Sequence, residues 1–413
     1  MPTIRRTGIS LAAVTALGLT MSPSATATAT GADAAGGSPA NATAGYDRAA
    51  LHEKIKAVRS EGATGLMIEL TSPKGTYRNQ AGYSDLGPKR AAKVSDQYHI
   101  ASVTKSMVAT LVMKEIEKGN WTLDTRVHDV FPNLYPGGEG GNATVGELLS
   151  HRSGMPNHTE HMTGDRVWEK RWWDTRLIAY ARQKPFYFDG GTNARYSNTG
   201  YVTLGKMLER ENDASLAGLL EWRIFKPAGM TNSRLSLSYN FAGDGMEELA
   251  TINGEINRLR VNPSILSGSG GVESTTRDVN RFYKALFSGT YVSRAQVDDM
   301  VTPRTNDSPL PGYGLGIYAI NTPCGVMYGH DGASYGTRNF AFSSKDGQTR
   351  VNIAWNGRSW DSATEPPVDE LLSEAVAQTC SAQTGHTPRS TVPVAPAPTI
   401  DQQHAPLDKT RVN

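Results

Sequence analysis

Cysteine is almost missing from this chain, with only Cys324 and Cys380 among 413 residues. That excludes a small disulfide-dense scaffold and a thiolate metal cluster, and leaves one bridge to consider. In an oxidising compartment two thiols usually pair, here closing a loop of about 56 residues worth roughly 4 kcal/mol in the chain-entropy model. Two buried free thiols are the alternative. An excess of charge of one sign is missing as well. Lys plus Arg number 42 against 40 Asp plus Glu, so no basic field supports nucleic-acid binding. Long apolar runs are absent too: Ile9 to Met21 is too short to span a bilayer, so no transmembrane segment is expected. No internal repeat is found.

What is present is ordinary globular composition, 38% hydrophobic and 20% charged, in a chain long enough for two or three domain-sized pieces. The basic pair Arg5-Arg6, the apolar run and the small residues Ala25-Thr26-Ala27-Thr28-Ala29 predict a signal peptide over 1–29, hence a secreted protein. A disordered leader over 30–45 and a Pro/Thr-rich flexible tail over 381–413 flank the folded part. Strand patterns at 65–71, 76–81 and 312–355, with helical patterns between, predict an α/β fold: an α+β sandwich domain with an antiparallel sheet, assembled from 46–125 and 260–380 and interrupted by an all-α domain over 126–259. Val103, Met107, Val108, Leu111, Val112 and Ile116 surround one helix, which is therefore central and buried.

Three short elements carry chemistry. Ser102-Val103-Thr104-Lys105 opens that helix, and a three-residue separation places the Lys105 amine on the face of the Ser102 hydroxyl. An alcohol needs a base to become a nucleophile, and a desolvated lysine can serve. No other lysine in the chain has a serine three residues before it. Tyr196-Ser197-Asn198 offers a phenol that can relay a proton and a carboxamide that can hold a carbonyl or the lysine. His330-Asp331-Gly332-Ala333 is the only His-x-Gly in the chain. Its glycine would let a substrate backbone lie against the strand, and the Ala333 amide would join that of Ser102 in an oxyanion hole. The cluster His158-Thr159-Glu160-His161 lacks metalloprotease spacing and reads as a polar surface loop. His151, beside Ser150, reads as a packing residue.

In this order, the three elements resemble the serine β-lactamase and penicillin-binding-protein superfamily, with secreted D-alanyl-D-alanine carboxypeptidases and class C β-lactamases as the nearest branches. Leu148-Leu149-Ser150-His151-Arg152-Ser153-Gly154, Ser269-Gly270-Gly271 and Tyr313-Gly314-Leu315-Gly316 add to the likeness. The resemblance covers roughly 46–380 and implies an α/β domain and an all-α domain with the site between them. It implies Ser102 as nucleophile, Lys105 as its activating partner and Tyr196 as proton shuttle, with Asn198 and His330 completing a polar ring. It also implies a Cys324–Cys380 disulfide, no cofactor and no metal. The implied partners are peptide or ester substrates such as peptidoglycan stem peptides, with β-lactams as inhibitors or substrates, and a monomer is expected. Asp331 departs from the family, which more often has a hydroxyl residue there to bind a substrate carboxylate. Tyr318 supplies no compensating charge, which leaves Arg338 as the candidate. The resulting expectation is a D-alanyl-D-alanine carboxypeptidase-type serine hydrolase working through an acyl-enzyme. The alternatives are a D-specific aminopeptidase, amidase or esterase, a class C-like β-lactamase, and a penicillin-binding sensor without turnover.

Overall fold

The computed structural model describes residues 45–384 except 88, 137, 163–165, 306–309, 324 and 361–366. The signal-peptide segment, nearly all of the leader, the tail beyond 384 and Cys324 lie outside the described residues.

Among the described residues a seven-stranded antiparallel sheet runs in the order Lys89–Ala91, Gly75–Leu86, Gly65–Ser72, Arg350–Asn356, Thr337–Ser344, Gly325–Ala333, Tyr318–Thr322. Strands from the two ends of the chain meet at its centre, where Gly65 pairs with Asn356 and Thr71 with Arg350. Alternation along each strand sorts side chains into two cores. Leu66, Ile68, Leu70, Phe340, Phe342, Val351 and Ile353 join Leu51, Ile55, Leu371 and Val376 of the terminal helices Arg48–Ser60 and Val368–Thr384. Met67, Ala341 and Ala354 face the other way, into the core shared with the helices Thr104–Glu117, Asn198–Asn212 and Thr276–Phe287. Both sheet faces are thereby covered, and the helix Thr104–Glu117 is buried on all sides through Met113.

Two expectations about elements are corrected. The segment 126–259 is not purely helical: Leu249–Ile252 and Glu255–Arg258 form a hairpin, and Arg234–Leu235 pairs with Val272–Ser274. The hairpin follows from Asn253-Gly254, both at positive φ (55° and 77°), the pattern of a two-residue turn whose twist matches the strands. The last helix also continues through Thr384, into the segment read as tail, since no Gly or Pro stops it before Gly385.

Candidate active site

Ser102 lies in a 3-10 turn, Ala101–Val103, that leads directly into the buried helix. Ala101 has φ +46°, a conformation that costs an L-residue roughly 1–2 kcal/mol and marks a turn held by its surroundings. The surroundings are identifiable. Ile100 N–H donates to Val272 O at 3.0 Å, and the Ile100 carbonyl accepts from Asn339 Nδ2 at 3.1 Å. One residue earlier, His99 contacts Glu248 at 2.7 Å, and the same carboxylate accepts from the Gly336 and Thr337 amides. The turn is thus tied to the strand Thr337–Ser344, the sheet neighbour of the strand that carries the third element.

Lys105 reaches back from the next turn. Its Nζ lies 3.0 Å from Ser102 Oγ, 2.7 Å from Asn198 Oδ1 and 2.7 Å from the Ser269 carbonyl. Burial lowers its pKa well below that of an ordinary lysine, while the charge of Asp331 acts in the opposite direction. The orientation of Asn198 is settled by its neighbours. Asn157 Oδ1 accepts from the Asn198 amide (3.1 Å) and the Thr159 hydroxyl (3.0 Å), so Thr159 Oγ1 is left to accept Asn198 Nδ2 at 2.9 Å. Oδ1 must then face Lys105. Two of the three Lys105 partners are therefore pure acceptors, and a neutral amine has only two hydrogens. In the neutral amine that burial favours, both hydrogens go to these two acceptors and the lone pair is left for Ser102 Oγ, the one partner able to give up a proton.

Tyr196 completes the contact, its hydroxyl donating to Ser102 Oγ at 2.7 Å. Burial holds its pKa well above 10, with the Ser102 bond opposing and the Asp331 charge adding to the rise. The phenol is protonated and can donate; the lysine, held toward neutrality, can accept.

The third element is arranged differently from its reading. His330 is bonded through its Nε2 to Tyr313 Oη at 3.0 Å, and its ring lies 6.4 Å from that of Tyr196. Asp331 is buried, and its carboxylate accepts the Tyr318 hydroxyl at 3.0 Å. At Gly332 a Cβ would stand 2.2 Å from the Ile100 carbonyl and 2.3 Å from Asn339 Nδ2. That space admits the nucleophile's own turn, not a substrate backbone as expected. Ala333 pairs with Arg338 across the sheet, and Arg338 is half-buried. Cys380 is buried on the terminal helix.

His158 and Thr159 are fully buried, not on a polar surface. They were misread because their polar atoms are satisfied internally: His158 bridges Thr199 Oγ1 (3.0 Å) and Ile265 O (2.9 Å), and Thr159 orients Asn198. Asn157, Ser269 and Tyr313 also belong to the site. The family-like strings around Ser269 and Tyr313 pointed to those two, whereas nothing local marks Asn157. Among the described residues no group of three or more His, Cys, Asp and Glu could hold a metal ion, and no helix is long and apolar enough to cross a membrane.

Comparison with known proteins gives the family and the fold. The family model described as Beta-lactamase matches residues 51–372. A penicillin-binding protein of Bacillus subtilis (strain 168) is 28% identical over 281 residues, which cover 62% of this chain and 60% of the relative. The chain thus spans about three fifths of that relative's length. Among solved structures, a D-stereospecific amidohydrolase from Streptomyces sp. superposes with a TM-score of 0.70 at 23% identity, covering 82% of this chain and 99% of its own. A D-amino acid amidase from Ochrobactrum anthropi SV3 does so with a TM-score of 0.70 at 22% identity, covering 79% and 98%. These two likenesses establish the fold.

Proposed function

Given that the chain belongs to the beta-lactamase family, we propose that it is an active-site serine hydrolase that cleaves D-amino-acid peptides through an acyl-enzyme. The observation that carries this reading is Lys105 Nζ, 3.0 Å from Ser102 Oγ, with its two remaining contacts both acceptors. In the proposed sequence Lys105 takes the Ser102 proton as Oγ bonds to the carbonyl carbon, and the amides of Ser102 and Ala333 receive the oxyanion. Tyr196 gives its proton to the departing amine, and the protonated lysine restores it. Water then enters along the same path and releases the acid, and no cofactor takes part.

Ser102→Ala is expected to abolish p-nitrophenyl ester hydrolysis and covalent labelling by fluorescent penicillin, and Lys105→Ala to lower kcat by about 10³-fold in a folded protein. An unchanged rate in either variant refutes the assignment.

Asp331 favours a second reading on the same chemistry. Its charge acts on Lys105 and on Tyr196, so a substrate carboxylate approaching them meets repulsion, whereas an amide, ester or free amine does not. That reading is a D-aminopeptidase or D-amino-acid amidase. The ratio of kcat/KM on D-Ala-D-Ala peptides to that on D-amino-acid amides separates the two. The reading includes export with loss of 1–29 and a Cys324–Cys380 disulfide. The intact mass of the mature protein, with and without thiol alkylation, tests both.

A further inference from the structure

Behind Tyr196 runs a chain of hydrogen bonds that the proton path above does not use. The Ser197 amide donates to His151 Nδ1 at 3.1 Å. His151 Nε2 is 3.1 Å from Tyr313 Oη, which is 3.0 Å from His330 Nε2, and His330 Nδ1 is 2.6 Å from the Asp331 carbonyl. Each end has one role: at Ser197 a backbone N–H, and at His330 Nδ1 the Asp331 carbonyl, with the Asp331 carboxylate 3.4 Å away. A backbone N–H only donates, so His151 Nδ1 bears no proton and Nε2 must bear it. A carbonyl only accepts, so His330 Nδ1 bears the proton and its Nε2, in the neutral ring, receives one. With His330 neutral, Tyr313 accepts from His151 and donates to His330, and its hydroxyl also meets that of Tyr201. A second proton on His151 would set two donors against each other at Ser197. Burial, together with Lys105 and His330, disfavours that form.

His151 is also placed at a cost. It is 1% exposed and has φ +59°, a conformation that few non-glycine residues adopt. Its ring packs against that of Tyr196 at a centroid distance of 4.2 Å, and Tyr313 lies edge-on to it at 4.8 Å.

We propose that His151 is a positioning residue for Tyr196, locked as its Nε2–H tautomer by the one-way relay Ser197–His151–Tyr313–His330, so that the Tyr196 hydroxyl is held on Ser102 Oγ. The inference rests on the reading of Tyr196 as proton donor. The relay supplies a rigid floor under the phenol, and His151, kept neutral by its burial, sets no imidazolium against the Tyr196 ring.

The test is a double-mutant cycle on ester hydrolysis by the full chain. His151→Phe keeps a ring against Tyr196 and removes both hydrogen bonds; it is expected to lower kcat on the order of tenfold to a hundredfold with KM within about twofold. Tyr313→Phe is expected to act in the same direction. In a Tyr196→Phe background neither change has a further effect beyond about twofold, because both act through the phenol. Additive losses overturn the proposal and leave a purely structural role. A fully active Tyr196→Phe instead overturns the proton-donor reading itself. Long-range nitrogen–proton NMR of histidine-labelled wild-type protein provides a readout that needs no variant. Nε2–H on His151 with Nδ1–H on His330 is expected, and the opposite tautomer or a doubly protonated His151 at neutral pH refutes the relay.

Discussion

Asp331 acts on the chemistry at a distance. Its carboxylate is bonded to Tyr318, yet its charge opposes the burial that lowers the pKa of Lys105. Asp331→Asn keeps an oxygen for the Tyr318 hydroxyl and removes the charge, so the lysine pKa should fall further. A general base works when unprotonated, and activity therefore rises as pH increases through its pKa. The variant's acid limb in kcat/KM against pH should move to lower pH, and an unmoved limb would show that Asp331 has no hold on the base. The serine and lysine spacing was legible residue by residue because one helical turn sets it. The destination of the Asp331 side chain was not, because it depends on Tyr318, a residue of the neighbouring strand.

At the scale of elements, the contact between the Gly325–Ala333 strand and the nucleophile's turn decides whether Ser102 is correctly placed. Gly332→Ala forces a methyl group onto the Ile100 carbonyl at 2.2 Å. Backbone cannot yield there as a flexible side chain would, so a loss of about 1–3 kcal/mol in urea stability is expected. Ester hydrolysis should fall by more than about tenfold. Wild-type activity would mean that the strand can retreat without moving Ser102. The strands Gly65–Ser72 and Gly75–Leu86 and the helix Thr104–Glu117 were legible from periodicity. The segment 167–183 divides into a 3-10 turn at Val167–Glu169 and a helix at Asp174–Ala181. Trp172 is tied down between them, its amide on Ser264 Oγ and its indole on the Val167 carbonyl.

For the whole molecule, buried neutral histidines make stability depend on pH. His158 is fully buried, and burial brings its pKa from 6.5 to about 4, with the Ile265 carbonyl contact opposing. The unfolded chain therefore takes up the proton first. The contribution of His158 is complete above about pH 6.5, declines as pH falls, and is lost by about pH 4, a change of about 3 kcal/mol. Urea midpoints measured from pH 7 to pH 4 should fall accordingly, and His158→Gln should flatten the decline. A wild-type midpoint independent of pH over that range would refute it.

The order of residues along the chain was enough to determine that a serine and a lysine share one face of a buried helix, that a tyrosine and an asparagine open another, and that strands lie at both ends. These follow from helical and strand periods, which are local. Only the tertiary structure decided which acceptors occupy Lys105, which way Asn198 and both histidines point, and what fills the space at Gly332. Each of those depends on a hydrogen-bond partner or a carbonyl supplied by a distant segment, and pairing across such separations leaves no periodic trace in the sequence.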